Sequence, residues 1–169
     1  MEKGITKKVH IIGSVGSGKT TLARMLSDKL AIPHYELDNV VWKRAEPSDI
    51  RRSEQDRDNY LKEIVNLNSW IIEGAHYEWV SSSLQQADLI IYLDIAVYKR
   101  IYQIIKRFYL QKVGVEKANY KPTVKMLWKM FVWTYHFEKE GKQKIAVILV
   151  SYNQKLIIIK DKYEINTYI

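Results

Sequence analysis

The 169-residue chain contains no cysteine, which excludes disulfides, thiolate metal sites and cysteine nucleophiles and permits a reducing compartment. Proline and glycine are scarce, at 3 and 7 residues, while 47% of the residues are hydrophobic. That balance belongs to a packed chain rather than a disordered or fibrous one. Long apolar runs are also missing. The run from Val9 to Ile12 is far too short for a secretory h-region, and nothing approaches the roughly 20 residues that cross a bilayer. With no repeat or low-complexity stretch, the expectation is one cytoplasmic domain over residues 1–169 with no membrane partner. A chain of this size buries roughly 70% of its unfolded surface.

Acidic residues are nearly absent from one segment. Lys99, Arg100, Lys106, Arg107, Lys112, Lys117, Lys121, Lys125 and Lys129 stand against Glu116 alone, and the rest of the chain carries 18 basic and 18 acidic residues. The whole net charge of +8 therefore belongs to residues 99–129. Such a segment is either a solvated helical face or faces something anionic: phosphates, nucleic acid or a membrane surface.

Short apolar runs alternate with amphipathic stretches. Lys8 to Ile12 reads as a buried strand, and Lys19 to Leu30 as a helix with Leu22, Met25, Leu26 and Leu30 at helical spacing, stopped by Pro33. His34 to Asp38 reads as a second strand ending in a carboxylate. Ser53 and Asp56 cap a helix that carries Tyr60, Leu61, Ile64 and Val65. Trp70 to Gly74 and Asp88 to Asp94 read as the third and fourth strands, with a short helix near Glu78 to Gln86 between them, and Lys144 to Val150 reads as the fifth. A helical insertion at about 97–141 separates the last two strands, its second helix carrying Val124, Leu127, Trp128, Phe131 and Tyr135 on one stripe, read as core or a dimer face. Leu156 to Ile159 leans towards a last helix. Strands apolar throughout, alternating with helices, imply a five-stranded parallel sheet with helices on both faces, and Asp38, Glu73 and Asp94 then fall at the strand ends where such sheets place their ligands.

Gly13-Ser14-Val15-Gly16-Ser17-Gly18-Lys19-Thr20 fits the phosphate-loop pattern without a mismatch, between a strand and a helix. Glycines at 13, 16 and 18 let the backbone wrap and aim N–H groups at phosphate oxygens, and the helix N-terminus adds its positive dipole end. Lys19 reaches the β and γ phosphates, the Thr20 hydroxyl ligates magnesium, and Thr21 continues the cradle. Chance yields the pattern in on the order of one chain in two hundred.

These residues, with Leu37-Asp38 and Trp42, Trp70-Ile71-Ile72-Glu73-Gly74, and Tyr92-Leu93-Asp94 before a basic helix, resemble the adenylate-kinase-like P-loop proteins. Within that group the chain is most similar, over about residues 8 to 150, to the bacterial family named DNA topology modulation protein. The resemblance implies the three-layer P-loop NTPase fold with a mobile helical lid. It matches Arg107 to the second lid arginine and puts Gln103 at the first, with Arg100 one turn earlier as a substitute cation. Glu73-Gly74 stands where relatives have Asp-Gly.

The expected activity is an ATP- and magnesium-dependent phosphotransferase acting on a small acceptor, a nucleoside or nucleotide being the commonest choice on this fold. Lys19, Arg107, Asp38 and Glu73 are the catalytic candidates, Thr20 and Glu73 the metal ligands, and Gly13 to Thr21 with Arg100 the nucleotide-binding set. Asp38 orients the acceptor or a metal-bound water, or else caps a helix. His76 and Tyr77 line an acceptor pocket or are ordinary loop residues, and His10 belongs to the core. The alternative is a nucleotide-dependent nucleic-acid-binding protein whose basic segment tracks a phosphate backbone. A P-loop protein without turnover is a third reading, supported by Gln103 alone.

Overall fold

The computed structural model describes residues 6–46, 48–116, 122–161 and 164. Along the chain lie β1 (Lys8–Gly13), α1 (Lys19–Leu30), β2 (His34–Glu36), α2 (Leu37–Val41), β3 (Trp42–Lys43), β4 (Ile50–Arg51), α3 (Glu54–Val65), β5 (Trp70–Gly74) and α4 (Ser81–Gln86). They are followed by β6 (Leu89–Leu93), α5 (Val97–Lys112), α6 (Val124–His136), a π-helical turn (Phe137–Gly141), α7 (Lys142–Val150) and β7 (Leu156–Ile159). Five strands form one parallel sheet in the order β2-β5-β1-β6-β7. A separate two-residue antiparallel pairing joins β3 to β4.

Strand periodicity of two sorts the side chains into two cores. Val9 and Ile11 of β1, Ile71 of β5, Ile91 and Leu93 of β6 and Ile159 of β7 pack with Leu22, Ala23 and Leu26 of α1. On the other face Ile12, Trp70, Ile72, Ile90 and Tyr92 meet Leu37 of α2, Leu61 and Ile64 of α3, Leu84 of α4, and Ile145 and Leu149 of α7. The three-layer α/β architecture expected from the sequence is present. His10 is core as expected, fully buried with its Nδ1 3.0 Å from Ser83 Oγ.

Two expectations exchange places. Lys144 to Val150, expected as the fifth strand, is part of α7, and Leu156 to Ile159, expected as a helix, is the fifth strand and edge of the sheet. Buried Ile145 and Leu149, with exposed Val147 and Val150, show a helical repeat hidden inside an apolar run. The π-helical turn before Lys142 continues α6 directly into α7, which leaves the strand position beside β6 to Leu156–Ile159.

The second strand is also shorter than expected. It ends at Glu36, and Asp38 lies in the first turn of α2. The helix-capping expectation for Ser53 holds: its Oγ accepts the Asp56 N–H at 3.1 Å and donates to the Asp56 carboxylate at 2.7 Å. The bend expected at 113–122 lies partly outside the described residues, as do Lys117 and Lys121.

Candidate functional site

The loop between β1 and α1 is shaped by contacts that only glycine tolerates. Gly16 has φ +74°, and a Cβ there would lie 2.8 Å from the Arg100 carbonyl oxygen and 2.9 Å from Ile104 Cγ1, so the loop lies directly against α5. Gly18 has φ +91° immediately before α1. Lys19 Nζ donates to the Ser14 carbonyl at 2.8 Å, folding the side chain back over the loop. Ser14 and Ser17 are buried with hydroxyls that have no hydrogen-bond partner among the described residues. An anion in the cradle would supply acceptors for those hydroxyls and compete for Lys19.

Sheet geometry decides which carboxylates reach this loop. Glu73 has the parity of Ile71 and so faces α1, where the Thr20 hydroxyl donates to Glu73 Oε1 at 2.6 Å. Burial raises the Glu73 pKa, opposed by the charge of Lys19 and the Thr20 hydrogen bond. Lys19 is pushed down by burial, opposed by Glu73 and Asp38 and reinforced by Arg107 and Arg100. Asp94 has the opposite parity, that of Ile90 and Tyr92. It pairs with Lys142 of α7 at 2.6 Å, on the sheet face that α7 covers.

Asp38 approaches from α2. Its Oδ1 is 3.5 Å from His76 Nε2, and that hydrogen bond is the main cause that holds the Asp38 carboxyl below its ordinary range; burial opposes, and Lys19 and Arg44 assist. Gly74 makes the position possible, since a Cβ there would lie 2.7 Å from the Leu37 side chain that seats α2 on β5. Of the acceptor-side candidates, the structure thus brings His76 to Asp38. It adds Arg44, which the sequence did not single out: Arg44 donates to Asn39 Oδ1 at 3.0 Å and pairs with Asp49. No motif marks it, because its relation to Asp38 arises from the β3–β4 pairing. Arg52 donates to the carbonyls of Asn39 and Val40 at 2.7 and 3.2 Å and lies over the Tyr60 ring, tying the end of α2 to α3.

A cavity of about 790 Å³ opens beside the loop, walled by Gly16, Ser17, Gly18 and Thr21 on one side, by Tyr98, Tyr102, Gln103 and Arg107 of α5, and by Lys160 and Asp161 after β7. Gln103 and Arg107, one turn apart, thus both face it. Arg100, expected as a substitute nucleotide cation, is turned inward instead. Its side chain is 1% exposed; Nε–H donates to the Ile95 carbonyl at 2.9 Å, Nη2 pairs with Glu138 of the π-helical turn, and the group stacks over Phe137. The reason is register: Arg100 and Ile104 form the buried face of α5. Nη1 of Arg100 is buried without a hydrogen-bond partner among the described residues.

Thr20 and Glu73 offer the hard oxygen donors that suit magnesium. Among the described residues no three His, Asp or Glu side chains gather as a metal-binding set, so such an ion would need phosphate oxygens or water to complete its shell. No helix among the described residues is long and apolar enough to cross a membrane.

No family model matches the chain. It is 30% identical over 111 residues to an uncharacterized Bacillus subtilis (strain 168) protein, YqaC, a match covering 65% of this chain and 61% of the relative. The chain thus spans about three fifths of the curated relative's length. Among solved structures it superposes on the shikimate kinase of Bacteroides thetaiotaomicron with TM-score 0.56 and 14% identity, covering 96% of this chain and 93% of that one. The deoxyadenosine kinase of M. mycoides, solved with dATP, gives TM-score 0.47 and 17% identity over 90% of each chain. At 14% identity the likeness to the shikimate kinase is one of fold alone: the chain shares its three-layer architecture around a parallel sheet.

Proposed function

We propose that this chain is an ATP- and magnesium-dependent phosphotransferase that acts on a small hydroxyl-bearing acceptor. The observation that carries the reading is the convergence of four groups from three elements on one sheet edge. Lys19 and Thr20 open α1, Glu73 lies one residue before the end of β5 with its carboxylate 2.6 Å from the Thr20 hydroxyl, and Asp38 lies in the first turn of α2 within electrostatic reach of Lys19. The shared fold with a shikimate kinase supports it.

In this reading the backbone from Gly13 to Gly18 and the hydroxyls of Ser14, Ser17, Thr20 and Thr21 hold the triphosphate, and the cavity along α5 takes its nucleoside half. Lys19 leaves the Ser14 carbonyl for the β and γ phosphates. Magnesium, held through Thr20 and Glu73, would neutralise charge on those phosphates. Phosphoryl transfer asks chiefly for positioning and charge stabilisation, and Arg107 supplies a planar cation from the cavity wall. Asp38, kept ionised by His76, accepts the acceptor's O–H and orients its oxygen. A carboxylate with a lowered pKa is a weak base, which suits a transfer in which the proton leaves late. The cavity-lining face of α5 serves as the lid.

The basic excess supports this reading better than a nucleic-acid track. Arg100 is spent on Glu138, Lys99 pairs with Asp161 at 2.8 Å, Lys106 and Arg107 line the cavity, and Lys112 lies 5.9 Å from the Phe108 ring. ATP consumption measured against nucleosides, nucleoside monophosphates and small hydroxy acids tests the proposal. One acceptor class should raise turnover above background hydrolysis, with Lys19→Ala inert. ATP binding with no acceptor-stimulated turnover across the panel would favour a nucleotide-binding protein without transfer.

A further inference from the structure

The outward face of α6 is apolar. Met130 and Thr134 are buried, Leu127 and Phe131 half-buried, and α6 packs on α5 and the π-helical turn. Val124, Trp128, Val132 and Tyr135 point the other way, with 69, 68, 37 and 62% of their surface exposed. At about 100° per residue these four share an arc of roughly 80°, a strip about 16 Å long. Exposed Lys125, Lys129 and His136 border the strip along one side. Neither α5 nor α6 contains a single acidic residue. No α6 residue lines the cavity beside the phosphate loop, so the strip is separate from the candidate active site.

We propose that this face of α6 docks the protein on the surface of a bilayer carrying anionic phospholipid headgroups. The side chains match the chemistry at each depth of that surface. Valines enter the edge of the acyl region, Trp128 and Tyr135 sit at the headgroup boundary where amphipathic rings collect, and the lysine stems lie along the apolar strip with their amines on lipid phosphates. At 13 residues α6 lies in the interface and does not cross it.

Other occupants use only part of the face. In a second copy, acid-free helices would meet lysine to lysine, and the strip offers a few hundred Å² where a stable interface needs about 800 Å² per partner. Single-stranded nucleic acid would stack on Trp128 and Tyr135 and contact both lysines, but it leaves Val124 and Val132 without a role. A bilayer surface employs all of them.

The test uses the full chain with vesicles of phosphatidylcholine alone and of phosphatidylcholine mixed with phosphatidylserine, at low ionic strength. Binding to the mixed vesicles should exceed binding to neutral ones by about tenfold or more. Lys125→Glu with Lys129→Glu should erase that preference, and Trp128→Ser with Tyr135→Ser should weaken binding by a similar factor. Lipids brominated along the acyl chain should quench tryptophan fluorescence in the wild type. Trp128→Phe should remove most of that quenching while binding persists. All four positions are exposed and none lines the cavity, so circular dichroism and ATP affinity should match the wild type in every variant. No binding to the mixed vesicles, or binding indifferent to both double variants, overturns the proposal. So does a concentration-dependent dimer, or an oligonucleotide complex, that the same substitutions abolish in the absence of vesicle binding.

Discussion

Lys19 holds the Ser14 carbonyl at 2.8 Å, a bond that a bound phosphate would replace with a charge-assisted one. Lys19→Ala should therefore weaken ATP binding by on the order of tenfold to a hundredfold, measured by calorimetry, with little change in thermal midpoint because no core cavity is created. Arg107 faces the cavity one turn beyond Gln103. Arg107→Ala should lower kcat on the order of a hundredfold or more and raise the KM for ATP far less, because the contact tightens as charge develops in the transition state. Lysine at that position should rescue it in part, for want of a planar fork, and Gln103→Arg is expected to raise kcat. A kcat unchanged in Arg107→Ala would remove the arginine from the reaction. His10 allows a prediction with a sign. The Ser83 hydroxyl donates to the Val80 carbonyl at 2.8 Å, so it accepts from His10 Nδ1–H. Burial lowers the His10 pKa from 6.5 to about 3. Below the unfolded-state pKa the unfolded chain takes up a proton that the folded chain refuses. Stability should therefore fall by up to roughly 1.4 kcal/mol per pH unit as pH drops through that window. In His10→Leu that part of the slope should vanish from denaturation midpoints measured against pH.

Elements meet at Gly16, where the phosphate loop touches the backbone of α5. Gly16→Ala combines a strained left-handed conformation with a 2.8 Å approach to the Arg100 carbonyl, which as backbone cannot swing aside. A Cβ at Gly18 would meet nothing within 4 Å. Gly16→Ala should thus destabilise the fold by more than the roughly 1–2 kcal/mol of left-handed strain alone expected for Gly18→Ala, compared by chemical denaturation; equal losses would show that the contact with α5 is dispensable. Arg100 secures the same junction from the other side, joining the Ile95 carbonyl to Glu138. The motif residues of the loop were legible in the sequence because each answers a local demand of backbone and phosphate. The inward turn of Arg100 was not, since it depends on a partner 38 residues away.

Across the whole molecule, the sheet edge that gathers Lys19, Thr20, Glu73 and Asp38 links ligand occupancy to global stability. ATP with magnesium, at a hundred times its Kd, should add about 2.7 kcal/mol to unfolding, read as a rise in thermal midpoint that Lys19→Ala reduces. A midpoint indifferent to ATP and magnesium would count against the phosphate-loop reading. The sequence by itself determined the strand–loop–helix unit of residues 8–30, the parallel sheet and the position of Glu73 at its edge, because these follow from motif chemistry and from periodicities spanning a few residues. Only the tertiary structure decided between Lys144–Val150 and Leu156–Ile159 as the fifth strand. Both are short apolar runs, and the choice fell to whichever could lie beside β6 once α7 had continued the π-helical turn. It also paired Asp94 with Lys142 of α7, by the parity of one strand against the helices packed on it. And it decided between core and an outward face for the stripe read as core or a dimer face, turning Val124, Trp128 and Tyr135 out to solvent, because α6 packs through Met130 and Thr134 and no element covers its other side among the described residues. Periodicity reveals that a helix has two faces; which of them is buried depends on what the rest of the chain brings against it.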